Sequence, residues 1–477
     1  MEHIVKINLP GGFISAGDLY EILMIAENAG AMHIRFGNRQ QLYFSIHSEN
    51  LEDMALDMLK AEINYEIDSD LHPNIISSYV ADSIFNHEGW LREGVYKDIL
   101  DMFDHRPRLK INLIDHQQTF VPFFSGNINF IASDTNNYWY LYVRFPKTGK
   151  QFCCPSLIYS DDIPAIAKVA EDIILRNKEL FYDQAAVDEQ LFYKMLLKKS
   201  GANFQPVKDA LKLSDFYLPY YEGFNKYNNK YWLGVYRRNE LFSLDFLKDA
   251  CLLCVKTRIG QIYTTPWKSI VIKGIEQADR NPWGLILSKY RLNVRHAANE
   301  LNWQIEDICN EGLELKQQLV REFEEADLRT YQLCFAIKTQ PKTGLTGSII
   351  LKKGKNCLYD ILHTRDFNPN SKDYVTYLQQ INSAELGARL IELCAEFYTI
   401  QSNSIVQATV TEEVGPKHQE TEIYQCNNCL TRYDKQYGDS VNSINKDVEF
   451  AALKDYCCPV CEAPKNEFSL IGSFNKK

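Results

Sequence analysis

The residues best suited to chemistry in this sequence are four cysteines near the C-terminus. They form two Cys-x-x-Cys pairs, Cys426 with Cys429 and Cys458 with Cys461. A Cys-x-x-Cys turn lets two thiolates converge on one ion, and two such turns complete a tetrahedral site. Tetrahedral sulfur coordination suits iron or zinc. Cys457 adjoins Cys458 and must point in another direction, so we interpret it as a packing residue.

The composition indicates the setting of these thiols. The chain has 477 residues and 13 cysteines, an odd number that rules out complete intramolecular pairing. The first residues, MEHIVKINLP, do not resemble a secretory signal, and no apolar run approaches the roughly 18 residues that span a bilayer. We therefore expect a cytoplasmic protein whose clustered cysteines bind metal. A net charge of -10 argues against nucleic-acid or membrane partners.

Aromatic residues surround the two cysteine pairs. Those that could form a small core over the metal are Tyr424, Tyr433, Phe450, Tyr456 and Phe468. The segment 424–468 resembles rubredoxin in its Tyr-Asp step at 433–434, its Gly-Asp step at 438–439, and the final Cys-Pro-x-Cys followed by Ala-Pro-Lys. The resemblance implies a rubredoxin-like domain over 423–472, with one iron held by the four thiolates and cycling between ferrous and ferric.

Three positions depart from the rubredoxin pattern. Leu430 and Glu462 replace the glycines that usually follow each cysteine pair, and Tyr456 replaces the usual Trp. A non-glycine residue at positive φ costs about 1 kcal/mol or more. These changes could alter the hydrogen bonds to sulfur that tune the reduction potential. The alternative is a zinc ribbon without a redox role, because sulfur ligands alone do not separate the two metals.

The rest of the chain has an internal repeat. Residues 9–44 and 233–272 share one order: a turn, a helix, a strand, a turn and a strand. In the second copy the pattern predicts a helix over 243–257 and strands over 259–264 and 269–273. Further strands are predicted over 108–114, 138–145, 333–338 and 355–362, and further helices near 161–176 and 382–398. The chain thus forms two tandem halves, 1–210 and 216–405.

This order resembles the sulfite/nitrite reductase family, which carries sirohaem and an iron–sulfur cluster. The family's Leu-Pro-Gly-Gly turn matches residues 9–12, and its Arg-Leu-Thr-x-Arg-Gln hairpin matches 35–40. Its Lys-Phe-Lys strand start matches 108–110, and its Asn-Asp-x-x-Phe-x-Ala stretch is matched by 127–132. The resemblance implies an α+β fold in which ferredoxin-like half-domains and larger αβ domains repeat with pseudo-twofold symmetry, before the small metal domain.

We therefore predict six segments. They are a ferredoxin-like half-domain over 1–75, an αβ domain over 76–215, a second half-domain over 216–285, a second αβ domain over 286–405, a linker over 406–422 and the rubredoxin-like domain over 423–472.

The resemblance also suggests site residues in the larger part of the chain. Basic residues at family positions for binding sirohaem carboxylates and the oxyanion substrate are Lys6, Arg35, Arg39, Arg108 and Lys110. Pro73 stands at the position where the family has a further substrate-binding Arg. The alternative is that these cations form a solvated surface.

The cluster cysteines of that family are missing from the matching positions. Gln340 and Gly344 stand where the second pair should be, and 298–304 holds no cysteine for the first pair. We therefore expect no 4Fe–4S cluster and no reduction of sulfite or nitrite by the usual mechanism. The remaining pairs, Cys251 with Cys254 and Cys153 with Cys154, we interpret as packing residues.

Three functions remain open, and no catalytic residue is predicted. The first is an electron-transfer protein that passes single electrons through the iron centre, to or within a nitrite-, nitrate- or sulfite-type reductase system, with a redox protein as partner. The second is a sirohaem- or tetrapyrrole-binding reductase fed by its own rubredoxin domain. The third is a non-redox zinc-ribbon protein with a binding scaffold.

Overall fold

A computed structural model describes residues 1–86, 89–148, 151–341, 343–411, 422–439, 441–442 and 444–473. The chain divides into two compact units, Met1–Ala395 and Glu396–Lys477. Within the described ranges, no helix is both long and apolar enough to cross a membrane.

The chain begins with a ferredoxin-like sheet and two helices. Its elements are β1 Glu2–Ile7, β2 Phe13–Ser15, α1 Ala16–Asn28, β3 His33–Phe36, β4 Leu42–His47, α2 Leu51–Lys60 and β5 Glu66–Ile67. The side chain of Ser15 caps α1 by accepting a hydrogen bond from the amide of Asp18. Leu19, Leu23 and Ala26 are all buried and form the apolar face of α1.

A larger αβ layer follows. Its elements are β6 Ile76–Ser77, α3 Glu93–Asp101, β7 Ile111–Ile114, β8 Ile128–Ala132, β9 Tyr138–Arg144, β10 Gln151–Tyr159, α4 Ile163–Arg176, α5 Lys178–Phe181, α6 Glu189–Ser200 and β11 Phe204–Pro206. The sheet order is β11-β10-β9-β8-β7-β6. Strands β6, β7 and β8 are parallel and the other pairings are antiparallel. Both faces of β7 and β8 are buried, as expected for parallel strands inside a layered fold.

The second half repeats both layers. Its elements are β12 Gly223–Tyr227, β13 Lys230–Val235, β14 Phe242–Ser243, α7 Leu244–Lys256, β15 Gln261–Thr264, β16 Ile270–Ile275, α8 Arg280–Lys289, α9 Ala298–Leu301, β17 Trp303–Ile305, α10 Asn310–Glu325, β18 Phe335–Lys338, β19 Ile349–Lys353, β20 Tyr359–Thr364, β21 Tyr374–Ile381 and α11 Leu386–Thr411. The predicted helix and strand pair over 243–273 are confirmed by α7, β15 and β16.

The two ferredoxin-like sheets exchange strands. Their orders are β14-β3-β4-β1-β5 and β12-β13-β16-β15-β2. The short strand β2 of the first half therefore pairs with β15 of the second, while β14 of the second half pairs with β3 of the first. Both sheets also contribute to one hydrophobic core. This reciprocal exchange of short strands between the two sheets reflects the pseudo-twofold repeat.

The larger αβ layers repeat as well. The second sheet has the order β17-β18-β19-β20-β21. Its first three strands are parallel and the rest antiparallel, as in the first copy. The structure is therefore of the predicted α+β class, with paired ferredoxin-like and αβ layers.

The C-terminal domain contains a three-stranded antiparallel sheet. Its strands are β22 Glu422–Cys426, β23 Arg432–Asp434 and β24 Phe468–Ser473, in the order β23-β22-β24. Part of the predicted linker is helical, since α11 runs through Thr411. Glu422, its last residue, begins β22, and residues 412–421 lie outside the described residues.

The cysteines outside the two C-terminal pairs are either buried or exposed, except for the half-buried Cys309. Cys251 and Cys254 are fully buried in α7, as the packing interpretation expected. On β10, Cys154 is buried but Cys153 is exposed, because neighbouring residues of a strand face opposite sides. The packing interpretation of Cys457 is wrong, since this residue is exposed.

Candidate metal centre and the basic positions

The four C-terminal cysteines converge on one point. The Sγ atoms of Cys426, Cys429, Cys458 and Cys461 all lie within 4.8 Å of one another. The Sγ atoms of Cys426 and Cys461 are 3.6 Å apart, and those of Cys429 and Cys458 are 3.3 Å apart. A tetrahedral ion with metal–sulfur bonds of about 2.3 Å requires sulfur–sulfur edges of about 3.8 Å. The cage is therefore already close to the size that a thiolate-bound ion needs.

The two Cys-x-x-Cys turns have matching backbone hydrogen bonds. In the first, the amide of Cys426 donates to the carbonyl of Thr431 at 2.8 Å, and Leu430 donates to the carbonyl of Cys426 at 2.9 Å. In the second, Cys458 donates to Ala463 at 2.8 Å, and Glu462 donates to Cys458 at 3.0 Å. This local twofold repetition holds the four sulfurs in a fixed arrangement.

The residues that replace glycine keep the glycine conformation. Leu430 has φ of 62° and Glu462 has φ of 57°, both in the left-handed region. The sequence-based expectation of backbone strain at these positions is confirmed. The cost is about 1–2 kcal/mol for each residue. The turn geometry is therefore retained even though the sequence no longer favours it.

Hydrogen-bond donors surround the sulfur atoms. The amides of Thr431 and Ala463 donate to Cys429 and Cys461, which occupy equivalent places in the two turns. The first turn has one further donor, because the Thr431 hydroxyl lies 3.0 Å from Sγ of Cys429. This hydroxyl is the main reason that the pKa of Cys429 is lowered to about 6. The second turn has Ala463 at the equivalent position and no such hydroxyl.

A compact aromatic cluster supports the site. The predicted core of five rings is confirmed: Phe450 lies 4.1 Å from Tyr424, 5.4 Å from Tyr433 and 5.3 Å from Phe468, between ring centroids. Tyr456 packs against the same cluster, and its hydroxyl donates to the carboxylate of Asp439 at 2.9 Å. This replacement for Trp therefore keeps a polar contact to the loop after β23.

The basic positions suggested by the sequence do not form one pocket. Lys6 is buried, and its ammonium lies 2.6 Å from Asp70 and 2.8 Å from Glu66. Arg39 is also buried, and donates to the carbonyls of Asn74 and Ile111 at 2.7 and 2.9 Å. Burial lowers the pKa of Arg39 to about 10. Both cations thus have structural partners.

The other three basic residues, Arg35, Arg108 and Lys110, differ in their burial and in their partners. Arg35 is half-buried and lies 4.0 Å from Glu240, while the side chain of Arg108 is exposed. Lys110 is half-buried, and no described residue forms an ion pair with its ammonium. Of the five, Arg39 and Lys110 line the same cavity.

This cavity has a volume of about 240 Å³. Its lining includes Lys110, Ser125 and Thr343, together with three acidic residues: Asp70, Glu306 and Asp307. Pockets for drug-sized ligands span about 300–1,000 Å³. A sirohaem macrocycle with its many carboxylates therefore fits neither the volume nor the acidic lining. The guanidinium of Arg39 also does not suit sirohaem, because it already donates to the backbone carbonyls of Asn74 and Ile111.

The positions of the missing cluster cysteines are occupied by uncharged residues. Gly344 lines the cavity, and a Cβ built there would lie 3.5 Å from the ammonium of Lys110. Two nearby cysteines have other contacts. Cys309 caps α10 by accepting from the amide of Gly312, and Cys334 lies 3.7 Å from the hydroxyl of Ser348.

Sequence reasoning missed Asp307, which lines this cavity and comes from the second half of the chain, so no spacing or motif could have linked it to the basic positions. Its carboxylate accepts two hydrogen bonds from Asn38 in the hairpin after β3, which joins the two halves of the chain.

Together, these features define a thiolate metal domain attached to a reductase-like αβ scaffold. The rubredoxin family matches residues 423–468, and the family described as nitrite/sulfite reductase ferredoxin-like half domain matches residues 2–61. The probable rubredoxin HupI of Bradyrhizobium diazoefficiens is 38% identical over 65 residues, which are 13% of this chain and 94% of that protein. The chain therefore belongs to the rubredoxin family through its C-terminal domain.

The larger part of the chain is similar to a solved structure. The NirA protein of Mycobacterium tuberculosis superposes with a TM-score of 0.60 over 82% of this chain and 80% of that one. The two sequences are 15% identical over this match, so the likeness concerns the fold. The sequence-based prediction of a rubredoxin domain fused to a sulfite/nitrite reductase-like fold is thus confirmed.

Proposed function

We propose that this chain is an electron-transfer protein whose C-terminal domain binds one iron through Cys426, Cys429, Cys458 and Cys461. The observation that carries this proposal is the four-sulfur cage, with edges of 3.3 and 3.6 Å, inside a domain of the rubredoxin family. Iron held by four thiolates supplies a one-electron couple between its ferric and ferrous states.

The protein's own residues keep the sulfurs in place. The paired backbone hydrogen bonds of the two turns fix their shape, and the aromatic cluster fixes the strands that carry them. Amide donors to Cys429 and Cys461 stabilise negative charge on the sulfurs in both oxidation states. Because the ligands need not move, little reorganisation accompanies electron transfer.

One side of the four-sulfur cage is accessible to solvent. Cys461 is exposed, whereas Cys426 and Cys458 are buried. Leu430 and Val460, one from each turn, are 67% and 71% exposed. An exposed thiolate ligand bordered by apolar side chains supports docking of a redox protein. The domain carries five basic and seven acidic residues over 424–468, which favours a partner with a basic rim.

The pathway is proposed from the fold of the larger part of the chain. Its nitrite/sulfite reductase-like half domain and its similarity to NirA support electron transfer to, or within, a nitrite-, nitrate- or sulfite-type reductase system. In this proposal the scaffold positions the partner, and its cavity does not hold a tetrapyrrole. The small volume and acidic lining of that cavity support this part of the proposal.

The test is the absorption spectrum of the purified full chain together with metal analysis. We expect one iron per chain, visible thiolate-to-iron bands that bleach with dithionite, and no Soret-type band. Cys458→Ser should remove these bands while the circular dichroism of the larger unit stays unchanged. Cys457→Ser, which changes an exposed neighbour, is the matched control and should keep them.

A colourless protein would contradict the proposal if it binds one zinc after growth in iron-rich medium and cannot be reconstituted with iron. That result would favour the non-redox zinc-ribbon hypothesis. A Soret band that disappears with charge removal at Arg39 would favour the tetrapyrrole-binding reductase hypothesis instead.

A further inference from the structure

Another cavity of the larger unit lies beside α9, and none of the basic residues suggested by family resemblance lines it. Its walls come from three segments: 217–220 before β12, 298–302 in and after α9, and the loop 327–333 between α10 and β18. We call it the α9 cavity. Its volume is about 320 Å³, and pockets for small molecules span about 300–1,000 Å³. It is therefore large enough for a small organic ligand.

Two buried asparagines line the α9 cavity and have amide groups without partners. Asn299 and Asn302 are 7% and 3% exposed and lie one helical turn apart, so both side chains reach the same cavity. Among the residues that the structure describes, Oδ1 of Asn302 accepts no hydrogen bond, and the side-chain amide of Asn299 forms none. Buried polar groups in folded proteins are almost always hydrogen-bonded. These two amides therefore indicate a polar ligand.

The contacts of Asn302 define what that ligand must offer. Its Nδ2 donates to the hydroxyl of Thr330 at 2.8 Å and to the carbonyl of Leu333 at 2.9 Å. Because a carbonyl can only accept, the amide is held with Oδ1 on the other side, and Asn302 has only an acceptor left. Asn299 adds a second acceptor and a donor. The complementary ligand edge has two N–H donors beside one acceptor.

A tyrosine ring and apolar side chains form a wall of the α9 cavity. Tyr220 is 40% exposed, and its hydroxyl lies 3.0 Å from the carbonyl of His296 and 3.1 Å from the carboxylate of Glu222, which hold the ring in position. Its ring packs on no other aromatic ring among the described residues. Leu218 and Pro219 continue the same wall. Aromatic side chains of this kind stack on flat heteroaromatic bases.

One cation also lines the α9 cavity. Arg329 is exposed, and its guanidinium lies 5.3 Å from the ring centroid of Tyr331. Within the described part of the chain, no carboxylate forms an ion pair with it. A guanidinium in this position can pair with a phosphate group carried by the ligand.

We propose that the α9 cavity binds a 6-aminopurine base, either as adenine or as an adenine nucleotide. The amino group donates one hydrogen to Oδ1 of Asn299 and the other to Oδ1 of Asn302. A ring nitrogen accepts from Nδ2 of Asn299, which is the two-point contact that asparagine makes with adenine. The base stacks on Tyr220, and Arg329 pairs with the phosphate when the ligand is a nucleotide. This binding does not depend on the metal of the C-terminal domain.

The experiment is calorimetric titration of the full chain with adenine and, separately, adenosine monophosphate. Purine, which lacks the amino group, is the matched control ligand and should bind about tenfold more weakly than adenine, or worse, because it leaves Oδ1 of Asn302 unpaired. Asn299→Leu should weaken binding about tenfold or more. Asn64→Leu, at an exposed asparagine elsewhere in the larger unit, should bind within about twofold of the wild type.

A second pair of variants tests the stacking. Tyr220→Ala should weaken binding about fivefold or more, whereas Tyr220→Phe keeps the ring and should bind within about twofold of the wild type. This pair also decides the matter if Asn299→Leu fails to fold. Tighter binding of the nucleotide that disappears in Arg329→Met would identify a nucleotide as the ligand, and equal affinities would identify the base alone.

A further readout needs no ligand. Asn299→Leu should melt no lower than the wild type, because it removes a buried amide that has no partner. A clearly lower melting temperature would contradict the proposal, since it would show that the amide is satisfied within the fold. The proposal is overturned if neither adenine nor the nucleotide binds, or if purine binds as tightly as adenine. It is also overturned if Asn299→Leu and Tyr220→Ala both bind as the wild type does.

Discussion

The hydroxyl of Thr431 donates to a sulfur of the first cysteine turn, a contact that Ala463 cannot make in the second turn, and its removal should lower the reduction potential of the iron centre. It lies 3.0 Å from Sγ of Cys429, while the equivalent position in the second turn is Ala463. Reduction adds negative charge to the iron–thiolate unit, so a donor to sulfur stabilises the reduced state more than the oxidised state. Thr431→Val removes this donor and keeps the shape of the side chain.

The magnitude follows from the strength of the bond. A hydrogen bond to a charged group contributes about 1.5–3 kcal/mol. If about one third of this is gained only on reduction, the difference is roughly 0.5–1 kcal/mol. For a one-electron couple, in which a tenfold change corresponds to 59 mV, this converts to a decrease of about 20–45 mV.

The assay is a spectroelectrochemical titration of the iron-loaded full chain. Thr431→Ser is the matched control, since it keeps the hydroxyl and should stay within a few millivolts of the wild type. Ala463→Ser adds a hydroxyl at the equivalent position in the second turn and should raise the potential. Metal content and the unbleached spectrum are recorded for each variant, so that loss of iron is not mistaken for a change in potential.

Two results would refute this reasoning. One is a Thr431→Val potential equal to that of the wild type with full iron loading. The other is an equal shift in Thr431→Val and Thr431→Ser, which would assign the effect to packing and not to the hydroxyl.

Three further predictions concern stability. Leu430→Gly should stabilise the C-terminal domain by about 0.5–1 kcal/mol in urea unfolding, because relief of the strain at φ of 62° exceeds the added chain entropy. Arg39→Met should destabilise the larger unit by about 3–5 kcal/mol, since it leaves buried carbonyls without donors, while Arg108→Met should change it by about 0.5 kcal/mol or less. Burial lowers the pKa of Lys273 to about 7, so between pH 7 and about 10 the unfolded state binds a proton that the folded state has released, and stability rises with pH. Lys273→Met should remove about 2 kcal/mol of the increase in unfolding free energy between pH 7 and 9, whereas Lys230→Met should keep it.

Each of these predictions has an outcome that contradicts it. Neutral or lower stability of Leu430→Gly would show that the exposed leucine contributes more through contacts than its backbone costs. The comparison variant Gly438→Ala should destabilise the domain, because its φ is 69° and the new Cβ would lie 2.5 Å from the carbonyl of Ile444. Equal effects of Arg39→Met and Arg108→Met would refute the structural role of Arg39. If the unfolding free energy of Lys273→Met depends on pH as that of the wild type does, a group other than Lys273 is responsible for the dependence.

The sequence predicted the metal centre better than any other part of the molecule. Two Cys-x-x-Cys pairs and the aromatic positions around them are local patterns, and local geometry alone brings Cys426 near Cys429 and Cys458 near Cys461. Even the strained turns could be anticipated, because the glycines expected after each pair are Leu430 and Glu462. The repeat of helices and strands in the larger unit was also predictable, since it depends on hydrophobic periodicity.

What the sequence could not supply was the pairing of distant residues. Lys6 and Arg39 matched family positions, yet their charges are used on Asp70 and on the carbonyl of Asn74, which no motif marks. Asp307 is the reverse case. No motif marks this residue, and its role comes from its hydrogen bonds to Asn38, which is far away in the chain. Charge type is visible in a sequence, but the partner of a charge is a tertiary property.

The exchanged strands have a consequence for biosynthesis. The edge of the first sheet at β3 is covered by β14, which is Phe242–Ser243, about two hundred residues further along the chain. At synthesis rates of about 5–20 residues per second, the outer edge of β3 remains unpaired for roughly 10–40 s before β14 is synthesised. An uncovered strand edge is a template for pairing with other chains. A nascent chain of this protein is therefore exposed to aggregation until the first strands of its second half have emerged.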